Sequence, residues 1–405
     1  MAAGRRPVGA ALPKMGPMTA GSGERTAGLF SDAEMRRRWD GVRSRLAHAE
    51  CVVAPTFHSS YYLSGLPVKQ WGRFAITVLF RDHEPVLVLP EFEQTAAASL
   101  SPIRDVRTYR DDEAPSLDAA CRRVADALRE RSVRVVGIES FGMSVAMFDR
   151  LRVTLPEVAF ADETAAIDET RIRSSEEEIA FLREACRLSA LGMHTVLEGL
   201  RPGALETRLS EEARLAMERG AGADLQVDAT AYMQQGERSL LCHAGSTNEP
   251  IAAGQLTEVV CEAHVWHYQG TVERGILVGG APPEVERAYA VVLEAYRDSC
   301  AAVRPGATFA EIDGIGRRIL NEAGYDGVTN GAGLIRNIHD HTGGRIPTGD
   351  LRPYNTRPLE PGMVISVEPW ALVPGVGGPR HCDLMLVTET GGELLSDVPI
   401  GELRV

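Results

Sequence analysis

No apolar run in the 405-residue sequence reaches the ~18–20 residues needed to cross a bilayer, so no membrane-spanning helix is expected. Positive charge is short as well. Lys and Arg total 43 against 56 Asp and Glu, a net charge of -13. So acidic a chain is a poor candidate for non-specific nucleic-acid binding, which depends on basic residues displacing counterions. The seven cysteines, from Cys51 to Cys382, contain no Cys-x-x-Cys pair. That scattered, odd set argues for reduced thiols in a cytoplasmic protein, not for a disulfide framework or a structural zinc site. Walker and Gly-x-Gly-x-x-Gly phosphate loops are absent. Arg5 and Arg6 stand near the start, but Gly, Pro and Lys14 break the stretch that would have to form a signal-peptide core.

What remains is ordinary globular composition, 44% hydrophobic, long enough for two or three domains at ~100–200 residues each. Residues 1–29 are rich in Gly, Pro, Ala and Arg without periodicity and are expected to be a disordered leader. From Ser31, whose spacing to Glu34 suits a capping box, a helix is predicted to about His48. Apolar runs at 51–54, 75–80, 85–89 and 133–138 read as strands, and 117–128 and 144–153 as helices. Strands alternating with helices predict a small α/β domain over 30–167. Ser174 and Ser175 before three glutamates predict a long helix to about Leu197, and helices follow at 206–219, 283–303 and 308–323. Strands are expected near 257–266, 268–278, 363–367 and 384–387, giving an α+β domain over 168–405.

Several residues in that second half are suited to chemistry. His243 follows Gly236-Glu237-Arg238-Ser239 in a loop, where functional side chains collect, and histidine is the default proton shuttle near neutrality. On the extended segment 261–274, Glu262 and His264 share one face. They could form a single-metal site with Glu368 and His381, though a solvated strand face has the same spacing. Glu273 and Arg274 read equally well as a surface ion pair. The run Leu359-Glu360-Pro361-Gly362 to Glu368-Pro369 ends an apolar strand on a carboxylate, which is expensive to bury unless it meets a cation.

These segments resemble the creatinase/aminopeptidase (pita-bread, peptidase M24-like) family over roughly 31–400. The resemblance rests on Arg173-Ser174-Ser175-Glu176-Glu177, on Glu273-Arg274 and on 359–369. It implies a small α/β domain followed by a pita-bread catalytic domain, and a homodimer. The family's metallopeptidases hold two metals with two Asp, one His and two Glu. By register those positions fall on Val260, Thr271, near Leu334, Glu368 and Cys382, so four of five ligands are missing. Resemblance to the metal-independent creatinase branch therefore implies no cofactor and a hydrolase of a C–N bond in a guanidino or amidino carboxylate. It implies His243 as general acid/base, Glu273 and Glu368 binding the cation, and Arg73 and Arg345 binding the carboxylate of a small zwitterion. Trp71 and Arg73 would reach in from the other subunit. Gln269 would line the site, with His341 (or His339) standing in for a lost histidine. Departures are Trp71 in place of Phe, and Gln269 and Gly270 after Tyr268. Alternatives are an ectoine-hydrolase-like cyclic amidine hydrolase, a lyase, or a non-catalytic ligand- or peptide-binding module.

Overall fold

The computed structural model describes residues 28–68, 72–110, 112–325, 327–329, 333–334, 351–401 and 403–405. The leader expected over 1–29 lies almost wholly outside them. Helix α1 (Asp32–Arg43) opens with the Ser31 side chain accepting the Glu34 N–H at 3.1 Å. The other half of the expected box is not made, because the Glu34 carboxylate turns to Arg37 and Arg38. The helix also stops five residues before His48.

β1 (Cys51–Ala54), α2 (Phe57–Ser64), β2 (Ile76–Phe80), β3 (Val86–Pro90), α3 (Gln94–Leu100), β4 (Asp105–Tyr109), α4 (Ser116–Glu130), β5 (Val135–Ile138), α5 (Val145–Thr154), β6 (Ala159–Asp162) and α6 (Thr164–Arg171) complete the first unit. Its sheet runs β4-β3-β2-β1-β5-β6 and is mixed: β1, β2 and β3 pair antiparallel, the others parallel. One core, with Val53, Val78, Val124 and Leu151, lies between this sheet and α4 and α5.

The second unit starts on a complete capping box. Ser175 and Glu178 exchange both hydrogen bonds at the head of α7 (Glu176–Gly199). Then come α8 (Glu206–Arg219), β7 (Val227–Gln235), β8 (Gln255–Val265), β9 (Tyr268–Val278), α9 (Pro283–Ala301) and α10 (Phe309–Glu322). Short strands β10 (Gly327–Thr329), β11 (Gly333–Leu334), β12 (Val364–Val367) and β13 (Pro369–Ala371) precede β14 (His381–Val387), β15 (Gly392–Leu394) and β16 (Leu403–Arg404). The main sheet is ordered β11-β12-β14-β9-β8-β7. Strand β7 was not foreseen from the sequence.

Helix α7 crosses the back of β8 and β9 so closely that a Cβ on Gly270 would stand 2.3 Å from the backbone of Ala185. Ser189 bridges this contact, donating to the Gly270 carbonyl and accepting from the Ala263 N–H, both at 3.0 Å. Gly270 is thus a packing requirement, not a change in a substrate pocket.

A single apolar core containing Trp39, Tyr61, Phe181, Tyr268 and Val272 joins the two units. Within it the buried Arg38 guanidinium meets Glu34, the Tyr268 hydroxyl at 3.2 Å and Glu178 at 3.3 Å. No helix among the described residues is long and apolar enough to cross a membrane.

Candidate functional site

The β8–β9 hairpin sets the site. Trp266 and His267, both at positive φ (48° and 66°), make its two-residue turn. The turn is clamped against the first unit: Tyr61 donates to the Trp266 carbonyl at 3.0 Å, and the His267 ring lies 4.7 Å from Phe57. From there the ladder runs without a bulge, so cross-strand neighbours share a face. Val260 faces Glu273, Glu262 faces Thr271 and Glu258 faces Gly275. On one side β7 places Tyr232 opposite Val260. On the other, β14 places Cys382 opposite Glu273, and Glu368 follows the last residue of β12, which pairs with Asp383. One sheet face therefore gathers Tyr232, Glu258, Val260, Glu262, Gln269, Thr271, Glu273, Cys382 and Glu368.

Into this face projects Arg380, just ahead of β14. Its Nε lies 2.7 Å from Glu273 Oε2 and 3.8 Å from Glu368 Oε1. Its backbone N–H donates to Glu258 Oε1 at 2.8 Å, and Nη1 donates to the Cys242 carbonyl at 3.1 Å and lies 3.0 Å from Cys242 Sγ. Nη2 is buried and meets no acceptor among the described residues. Burial opposes the charge on Arg380, but Glu273, Glu368 and Glu258 outweigh it and hold the guanidinium firmly protonated.

One cation among four carboxyl groups cannot support four full negative charges. Burial pushes Glu258 up to about 8. Burial and the neighbouring Glu273 push Glu262 up to about 7, against hydrogen bonds from Gln269 Nε2 at 2.8 Å and Thr271 Oγ1 at 3.4 Å. Burial, then Glu368 and Glu273, raise the Cys382 thiol.

The structure sorts the residues singled out from sequence. Glu273, Glu368 and Gln269 share the face. His243 is exposed on the loop beside it, its Nε2 3.6 Å from Cys242 Sγ, and Gln234 Nε2 pins that loop by donating to the Leu241 and Ala244 carbonyls. Arg73 is partly buried in the first unit, over the Phe92 ring at 5.4 Å. Trp71, His339, His341 and Arg345 lie outside the described residues.

Glu273 and Arg274 are not a surface pair, because alternation sends them to opposite faces. Arg274 is fully buried on Asp383 at 2.9 Å, with the Tyr296 hydroxyl donating to the same carboxylate at 2.6 Å. His381 faces that way too, against Tyr296, where burial and Arg274 hold it neutral. The single-metal set Glu262, His264, Glu368 and His381 therefore does not form. Sequence reasoning missed Arg380 and Glu258. The Arg380–Glu273 register depends on which strands are neighbours, and no local pattern carries that.

Comparison with known proteins bears on the function. The profile of the creatinase/prolidase N-terminal domain matches residues 41–173, and that of metallopeptidase family M24 matches 180–389. A Xaa-Pro dipeptidase of Pyrococcus furiosus is 27% identical over 339 residues, covering 83% of this chain and 90% of its own. An uncharacterised peptidase of Bacillus subtilis is 26% identical over 278 residues, covering 68% of this chain and 76% of its own. Among solved structures, a Xaa-Pro dipeptidase from Bacillus anthracis superposes with a TM-score of 0.79 at 20% identity, covering 92% of this chain and all of that one. Prolidase from Pyrococcus furiosus gives 0.71 at 25% identity, over 86% and 97%.

These findings overturn the reading as a metal-independent amidinohydrolase of the creatinase branch: the relatives are Xaa-Pro dipeptidases. Lost ligands do not mark the creatinase branch here, because the similarity to Xaa-Pro dipeptidases runs along most of the chain.

The two-metal centre itself does not fit the residues present. Two dications need several anionic oxygens around them. Here Val260 and Thr271 supply no anionic oxygen, Cys382 supplies sulfur, and the Arg380 guanidinium sits against Glu273 and Glu368. The pita-bread architecture is nonetheless intact, both units match their profiles, and the chain belongs to metallopeptidase family M24.

Proposed function

We propose that this protein hydrolyses a peptide bond in a small peptide on the sheet face around Arg380. The observation that carries this reading is the buried Arg380 Nη2, a charged donor without an acceptor among the described residues, on the sheet face that also carries the Glu262 carboxyl group. In the mechanism, Glu262 in its ionised form takes a proton from water as the oxygen adds to the scissile carbonyl carbon. Arg380 Nη2 donates to the oxygen that gains charge, where a fixed donor out of water is most effective. The proton then passes from Glu262 to the departing nitrogen as the C–N bond breaks. Gln269 orients Glu262, and Glu273 and Glu368 hold the guanidinium in place. His243 is exposed on the loop whose Cys242 carbonyl accepts from Arg380 Nη1, and in this reading it contacts one end of the bound peptide. The similarity to Xaa-Pro dipeptidases supports dipeptides with proline second as the substrate class. A homodimer belongs to the same proposal and is measured by light scattering.

The test is turnover of a dipeptide panel by wild type and Glu368→Gln, with and without added divalent metal. Release of free amino acid by wild type, lost in the folded variant, supports the reading. No turnover of any dipeptide under any metal condition refutes it and leaves peptide binding as the function.

A further inference from the structure

The buried tyrosines, Tyr61, Tyr62, Tyr109, Tyr268, Tyr289 and Tyr296, all spend their hydroxyls on the fold. They donate to the carbonyls of Trp266, Thr170, Phe74 and Gly401 and to the carboxylates of Glu178 and Asp383. Tyr232 breaks the pattern. It is only partly buried, and its hydroxyl makes no hydrogen bond among the described residues.

Its place in the sheet gives that hydroxyl a use. Strands β7, β8, β9 and β14 align Tyr232, Val260, Glu273 and Cys382 in one row. Two strand spacings of about 4.8 Å separate the Tyr232 backbone from that of Glu273, and only the short Val260 side chain stands between them. The adjoining row is Thr230, Glu262 and Thr271, which makes Tyr232 and Glu262 diagonal neighbours. Arg380 meets the same row through Glu273 at 2.7 Å. The charges agree with this placement. Burial, then Glu273, push the phenol up against the pull of Arg380, so the hydroxyl keeps its proton near neutrality. A phenylalanine would cover Val260 equally well, and what the hydroxyl adds is a donor.

We infer that Tyr232 is a catalytic residue whose hydroxyl donates to the scissile carbonyl oxygen beside Arg380 Nη2, so that two donors share the charge that develops there. Phenol hydroxyls suit this role, and the oxygen has lone pairs for both donors. The donors converge from two sides: Arg380 from the head of β14 and Tyr232 from β7, with Glu262 on β8 between them to take the proton of water. Tyr232 keeps its own proton throughout.

The inference rests on the peptide-hydrolysis reading for the identity of the oxygen, and the experiment separates the two. Tyr232→Phe removes the hydroxyl alone. For the dipeptide Ala-Pro, kcat should fall about tenfold to a hundredfold with KM little changed. The urea unfolding midpoint should match wild type, because the hydroxyl holds nothing in the fold. A further readout needs no turnover. Calorimetric binding of the phosphinic analogue of Ala-Pro, in which a tetrahedral phosphinate replaces the scissile amide, should weaken in the variant by about the factor lost in kcat/KM. Wild-type turnover with kcat unchanged in Tyr232→Phe overturns the inference and leaves the reading standing. No turnover, with the phosphinate bound more weakly by the variant than by wild type, overturns the reading and supports the hydroxyl as a donor to a bound anionic oxygen. Equal phosphinate affinity in the two proteins, no binding by either, or a lowered urea midpoint in the variant overturns the inference.

Discussion

Glu258→Gln isolates the most consequential electrostatic feature of the sheet. Glu258 is buried, its Oε1 accepts the Arg380 N–H and its Oε2 meets no partner among the described residues. Its pKa is raised from an ordinary 4.5 to about 8, first by burial. A carboxyl raised in the folded state favours folding while protonated, so its contribution is fully present below the unfolded value and is lost as pH rises through the folded one. Linkage over that shift gives a loss of about 3–4 kcal/mol between about pH 5 and about pH 8. Glutamine keeps an oxygen for the Arg380 N–H and cannot ionise. The amide adds a fixed cost, because its N–H groups inherit a place without a partner, but that cost does not vary with pH. Urea unfolding across this pH range is the assay. The wild type should lose about 3–4 kcal/mol relative to the variant on going from acid to alkaline conditions. Parallel pH profiles would refute the assignment of a buried, protonated Glu258.

Other expectations follow from packing and ion pairing. Gly270→Ala drives a methyl into the α7 backbone at 2.3 Å, where nothing can rotate away, and should cost about 3 kcal/mol or more in urea unfolding. A small effect would mean that α7 can shift. Arg274→Met leaves Asp383 buried without its cation and should cost about 3–5 kcal/mol. If the loss appeared in turnover and not in stability, Arg274 would belong to the site. Gln269→Ala removes the 2.8 Å donor to Glu262, which lowers that pKa, so the acidic limb of the turnover profile should move to higher pH. An unmoved limb would exclude Glu262 as the titrating base.

Much of this molecule is legible in one dimension, where the physics is local. The Ser175–Glu178 and Thr308–Glu311 boxes mark helix starts because both halves of each motif lie within one turn. Period-two alternation places Glu262, Thr271 and Glu273 on extended backbone, and the β9 limits Tyr268–Val278 coincide with the apolar pattern. Legibility stops where strand neighbours decide. Arg274 looked like the partner of Glu273 because they are adjacent in sequence, yet the sheet gives Glu273 to Arg380, more than a hundred residues on. His381 looked like a ligand, but one position of strand parity turns it to the other face. Strand β7 is faint in the sequence because Val227–Gln235 consists largely of small and polar residues and ends on two glutamines. The amidinohydrolase reading fails for a related reason: the ligand positions at Val260 and Thr271 are local, whereas the similarity to Xaa-Pro dipeptidases is spread over most of the chain.

The most direct test of the central claim, that Arg380 is the working cation of a peptide-hydrolysing face, is kcat for a Xaa-Pro dipeptide in wild type and Arg380→Lys. Lysine keeps the charge that Glu273 and Glu368 require, so the fold should stand, but it lacks the planar fork that presents Nη2. A fall in kcat of about a hundredfold or more with KM little changed is the expected result. Equal kcat in the two proteins would contradict the account.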